Sequence, residues 1–109
     1  MSEFVDYLKE IFAGLGSVSS RKMFGGHGIY HGGVMFGLVA HDTLYLKADK
    51  ETAPEFEAKG LTQFEYAKGN KLVKMSYYLA PEEALENPDD AEYWARLAYA
   101  AALRAKSNK

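Results

Sequence analysis

Apolar residues recur at spacings of three and four over Phe4, Val5, Leu8, Ile11, Phe12 and Leu15, with Asp6, Lys9 and Glu10 between them. That pattern predicts an amphipathic helix, which Ser2 can cap and Gly14 and Gly16 end. From residue 18 to residue 48 the period becomes two. Gly32-Gly33 separates residues 28–31 from 34–40, and His41-Asp42 separates that run from 43–47. Such pairs predict tight hairpins, because Gly-Gly supplies the positive φ angles of a two-residue turn. With residues 18–24 added, the segment reads as a meander of about four strands. Residues 50–59 predict a short polar helix that tolerates Pro54 only in its first turn, with Gly60 closing it. Residues 62–67 and 71–79 flank Gly69-Asn70, a second strong hairpin signal.

Ala80-Pro81-Glu82-Glu83 and Asn87-Pro88-Asp89-Asp90 both place proline and carboxylates where a helix begins. The last helix is expected from about residue 88 to residue 106, with Trp94, Leu97, Ala98, Ala101 and Ala105 along one stripe. Hairpins rather than crossovers imply a mainly antiparallel sheet of five to six strands with the helices on one face, a two-layer α+β sandwich. Strict alternation puts Val34, Phe36, Leu38, Leu44 and Leu46 on the helix side, and Met35, Val39 and Tyr45 on the other. Tyr30 and Tyr78 fall alongside the second set, and Lys47 and Lys74 interrupt it. An apolar second face is a candidate interface, for a protein partner or for a second copy in a homodimer.

Length and composition narrow the class. The 109 residues fit one domain, residues 1–109, and 48% hydrophobic content with 8 Tyr, 6 Phe and 1 Trp can fill a core. Without cysteine there is no disulfide scaffold, cysteine-ligated metal or thiol nucleophile. The N-terminus carries acids where a signal peptide needs bases, and the apolar run at 33–40 is too short for a membrane span, so a cytoplasmic protein is expected. A net charge of −2, spread evenly over both halves with no basic arm, argues against duplex DNA as a direct partner. The acids of 81–95 and the bases of 96–109 fit the two ends of a helix dipole.

Candidate chemistry is sparse. Gly25-Gly26-His27-Gly28 lacks the spacing of a dinucleotide or phosphate loop and precedes a strand, so a bulge or tight bend is expected there. His27 and His31, four strand residues apart, lie ~13 Å from each other, too far for one ion, and with His41 and Asp42 they give no metal site. No serine stands in a nucleophile elbow, and the carboxylates near 82–90 are explained by helix starts. No catalytic residue and no cofactor is assigned. Arg21-Lys22-Met23-Phe24 and Lys74-Met75-Ser76-Tyr77-Tyr78 interleave bases with aromatics, as single-strand nucleic-acid platforms do and as ordinary sheets also do.

These same segments, with Gly25-Gly26-His27-Gly28-Ile29-Tyr30, Val34-Met35-Phe36-Gly37-Leu38 and Leu44-Tyr45-Leu46-Lys47-Ala48-Asp49 in order, resemble the N-terminal domain of the TfoX/Sxy family over nearly the whole chain. The resemblance implies a bacterial protein with a two-layer fold like that of type III secretion chaperones. It also implies a non-enzymatic regulatory, protein-interaction role in expression of natural-competence (DNA-uptake) genes, with a partner in the transcription machinery. In those regulators a helical C-terminal domain follows, and the residues here match the N-terminal domain alone, as in a stand-alone copy. Arg21, Phe24, Gly25, Gly26 and Gly28 carry over as a candidate contact or structural motif. The alternatives are a small-molecule-binding protein or enzyme using the loop at 25–31, and a nucleic-acid binder using Arg21, Lys22, Lys47 and Lys74.

Overall fold

A computed structural model describes residues 3–23 and 25–107, so the cap expected at Ser2 lies outside the described residues. The chain runs α1 (Glu3–Ile11), β1 (Ser19–Met23), β2 (Gly26–His31), β3 (Val34–Ala40), β4 (Thr43–Lys47), α2 (Ala53–Ala58), β5 (Gln63–Lys68), β6 (Lys71–Leu79), α3 (Glu83–Glu86) and α4 (Pro88–Ser107). Every strand pairs antiparallel, in the order β1-β2-β3-β4-β6-β5. The α+β fold expected from the spacing is the one formed.

The turns behave as their residues dictate. Gly32 and Gly33 adopt φ of 56° and 77°, the left-handed pair that joins two strands in register. His41 and Asp42 take the same conformation at φ 53° and 54° without glycine. Asp and His tolerate that region better than most side chains. Pro54 sits in the first turn of α2, where its missing N–H costs no helical bond.

One face of the sheet carries the core. Phe12, Phe36, Phe56, Leu8, Ile29, Leu44 and Leu46 are fully buried between the strands and the helices. Phe12 meets Phe36 edge-on at 5.9 Å, and Phe56 lies 5.1 Å from Trp94 and 5.4 Å from Tyr78. Helix α4 presents Ala91, Trp94, Ala95, Ala98, Ala101 and Ala102, whose small side chains let it lie close on the strands. Its stripe ends there, and Ala105, expected on it, is exposed. Arg104 near the C-terminus of α4 makes paired bonds to Asp49 at 2.6 and 3.0 Å, tying the loop after β4 to the helix. Among the described residues no helix is long and apolar enough to cross a membrane.

Strict alternation fails at one place in β3. Ile29 pairs with Gly37 while Tyr30 pairs with Met35, so Phe36 is an extra residue, a β-bulge. One inserted residue exchanges the faces of everything beyond it. Val39, which pairs with Leu44, therefore turns to the helix side and is only 3% exposed in the core, while Leu38 pairs with Tyr45 on the opposite side. The candidate interface of Met35, Val39 and Tyr45 is corrected to Met35, Leu38 and Tyr45. Tyr78, expected on that face, stacks on Phe56 and donates to Glu57 of α2 at 2.8 Å, so its neighbour Tyr77 takes the outer position.

Candidate functional site

The register places a defined set of side chains on the face that no helix covers. Tyr30 and Met35 are cross-strand partners, as are Leu38 with Tyr45, Tyr45 with Leu79, and Lys47 with Tyr77. Phe64 of β5 meets Tyr45 edge-on at 4.7 Å and Tyr66 at 6.5 Å, which fixes both β5 rings on the same face. Arg21 of β1 lies over the Tyr30 ring at 5.6 Å, and Lys47 over the Tyr77 ring at 5.2 Å. The rings shelter one another enough that Tyr77 is 7% exposed although no helix lies on it. Burial, with Tyr30 nearby, pushes its hydroxyl up to about 12.

Charge is sorted by layer rather than along the chain. The six strands hold Arg21, Lys22, Lys47, Lys68, Lys71 and Lys74, and Glu65 is their only carboxylate. Alternation puts Lys68 with Tyr66 and Lys71 with Val73, so Arg21, Lys47, Lys68 and Lys71 share the helix-free face. Glu65 points to the other side, where it pairs with Lys74 at 3.9 Å. The helix-free strand positions thus carry four cations and no acid. The ends of β5 and β6 also extend past the last pairing of β4, at Lys47 with Tyr77, and form a two-stranded projection with an exposed tip. The sequence holds no basic arm, but antiparallel pairing makes a short one.

The chain matches the TfoX N-terminal domain over residues 10–102, a span that takes in all six strands. It is also 31% identical over 75 residues to the DNA transformation protein TfoX1 of Aliivibrio fischeri, an alignment covering 69% of this chain and 34% of that protein. The chain belongs to the TfoX N-terminal domain family. It spans about a third of the length of the relative that it matches.

Within this family domain, the glycines expected as a contact or structural motif have geometric reasons for being glycine. Gly25, at φ 79°, turns the chain from β1 into β2. A Cβ on Gly26 would fall 2.0 Å from the Val39 carbonyl oxygen, and one on Gly28 would meet the Tyr30 ring at 2.9 Å and the Met35 sulfur at 3.1 Å. Gly28 therefore lies under the Tyr30 ring on the helix-free face. Arg21 stands on that face, and Phe24 lies outside the described residues.

The four bases proposed for nucleic acid do not gather: Arg21 and Lys47 are on the helix-free face, Lys22 and Lys74 on the other. Lys68, Lys71, Phe64, Tyr66 and Tyr77 complete the set; Tyr77 stands in the segment at 74–78 that interleaves bases with aromatics, and the other four are not singled out as site residues by the sequence. Alternation carried outward from the Gly69-Asn70 turn was the signal that could have placed Lys68 and Lys71. His31 donates from Nδ1 to the Ser17 carbonyl at 2.7 Å and packs on Tyr99 at 4.9 Å, on the helix side. Among the described residues no three His, Asp or Glu side chains are grouped to hold a metal ion. A shallow depression lined by Lys22, Met23, Gly25, Gly26 and His27 is open to solvent.

Proposed function

We propose that this chain is a non-enzymatic regulatory module in competence, acting on the expression of DNA-uptake genes by binding a macromolecule on the helix-free face of its sheet. Family membership and the DNA transformation relative support the pathway. The observation that carries the binding role is the face itself: half-buried rings, with cations and no acids, spread over a broad surface. Catalysis usually calls for a concave site in which polar groups converge. In the loop at 25–31, the alternative small-ligand site, Gly26 packs closely on the Val39 backbone and Gly28 lies against the Tyr30 ring and the Met35 sulfur. A protein of the transcription machinery is the partner that the family suggests. Self-association through this face is disfavoured, because two copies would bring Arg21, Lys47, Lys68 and Lys71 together across the interface.

The test is genetic. In the bacterium that carries it, the chromosomal copy is replaced by Tyr45→Ala or Tyr66→Ala, and transformation frequency is counted at matched protein level. A tenfold or greater drop supports the reading. Wild-type frequency with both variants removes the face from the function.

A further inference from the structure

We infer that the occupant of the helix-free face is a single-stranded nucleic acid, bound without marked sequence preference. This rests on the reading that the face is the contact surface, and it names the partner's chemistry. Two independent features of the face meet that chemistry. The first is charge: a chain of net charge −2 puts four cations and no carboxylate on one side of its sheet. Apart from Glu65 on the opposite side of the sheet, its acids lie in the helices and loops, which polarises the molecule toward a polyanion. The second is the rings. Tyr30, Tyr45 and Phe64 are partly exposed and Tyr66 is 39% exposed, which leaves planar surface for unpaired bases.

The cations frame the rings. Arg21 is on the first strand of the sheet, Lys47 is central, and Lys68 and Lys71 stand at the tip of the outermost hairpin. Between β1 and β6 there are four strand spacings, roughly 19 Å at ~4.8 Å each, enough for a backbone of several nucleotides to pass from one cation to the next. Duplex DNA fits less well, since its bases are stacked on each other and offer the rings nothing. An acidic protein segment would satisfy the charge but would leave the planar rings without a specific use.

Fluorescence anisotropy of the full chain with a labelled oligothymidylate of about twelve nucleotides, within the ~4–16 covered by known single-strand folds, tests the inference. Three or four phosphate contacts give a salt slope of about −2 to −3, so affinity should fall roughly twenty- to fiftyfold from about 50 to about 200 mM salt. Lys68→Glu with Lys71→Glu, at the exposed hairpin tip, should weaken binding at least tenfold. Tyr66→Ala should weaken it roughly five- to hundredfold, the range for one stacked base. Both variants should keep the wild-type thermal transition, and Lys68→Gln with Lys71→Gln serves if the double charge reversal does not. Absence of binding at low salt would overturn the inference, as would equal binding of the matching duplex. So would capture of an aspartate-rich peptide by a face that ignores the oligonucleotide. If the face variants abolish transformation while no oligonucleotide binds, the contact reading stands and the nucleic-acid occupant falls.

Discussion

The two faces of this sheet use the same residue types to opposite ends. Toward the helices, Phe12, Phe36, Phe56 and Trp94 close around Ile29, Leu44 and Leu46, with 5% exposure at most. Away from them, Tyr30, Tyr45, Phe64 and Tyr66 pack against each other and against cations, and remain partly open. Fully burying such a side chain contributes ~1.5–3 kcal/mol. The open face forgoes much of that, although it keeps its rings. The covered face is thus the source of stability, and the open face is apolar beyond what folding requires.

The bulge at Phe36 separates the faces, and the largest predicted effect tests it. Val39→Lys buries a charge among Ile29, Leu44 and the helices, a cost of several kcal/mol that rivals the ~5–15 kcal/mol of an ordinary domain. Leu38→Lys, one residue away, can extend its amine past the rings to water and should cost only about 1–2 kcal/mol. Circular dichroism should find Val39→Lys unfolded and Leu38→Lys folded. Equal outcomes would mean that β3 alternates without a bulge.

That one residue also marks how far the sequence could be read. Gly32-Gly33, Gly69-Asn70 and the proline-led starts of α3 and α4 are local signals, and each forms where its residues place it. The bulge has no local signal, because Phe36 and Gly37 become an irregularity only when Ile29 arrives opposite them. Leu38 and Val39 were exchanged for that reason alone. Tyr77 and Tyr78 are adjacent tyrosines, and only Phe56 and Glu57 of a separate helix decide which one turns inward. The layered charge was legible in principle, yet counting by halves of the chain hides it, since each half contributes to both layers.

Next in size is Trp94→Ala, expected to destabilise by ~3–5 kcal/mol in urea titration, because the indole is 5% exposed and packs on Phe56. On the open face, Tyr66→Ala should cost less than about 1 kcal/mol, since that ring is already 39% exposed. Similar losses at the two sites would erase the distinction between the faces.

The open face is nonetheless dry at Tyr77, and its ionisation measures this. Its hydroxyl sits at about 12 against an ordinary 10.0. Above pH 10 the unfolded chain loses that proton while the folded chain keeps it, so stability falls as pH rises from about 10 to 12, by up to about 2.7 kcal/mol for two units. Tyr77→Phe should remove this part of the alkaline loss and delete the highest-pH step from an ultraviolet phenolate titration. A Tyr77 step near 10 would mean that water reaches the centre of the open face.

A further effect, smaller than that at Tyr77, belongs to the covered side and to the acid limb. The Arg104 guanidinium beside Asp49, helped by bonds from Thr52, holds its carboxyl at about 2 against an ordinary 3.8. A lowered carboxylate contributes stability above its unfolded value and loses it as pH falls, here between about pH 4 and pH 2. A drop from 3.8 to about 2 would correspond to about 2.5 kcal/mol, but Asp49 and Arg104 retain 25% and 36% side-chain exposure, so screening should leave about 1–2 kcal/mol. Asp49→Asn should flatten the acid limb by that amount, and Arg104→Met should flatten it as far if the pair is the cause. Asp49 also accepts from the Glu51 and Thr52 amides, bonds that Asn can keep. A variant that flattened the limb while lowering neutral-pH stability far more than Arg104→Met would therefore locate the effect in that turn rather than in the link between sheet and helix.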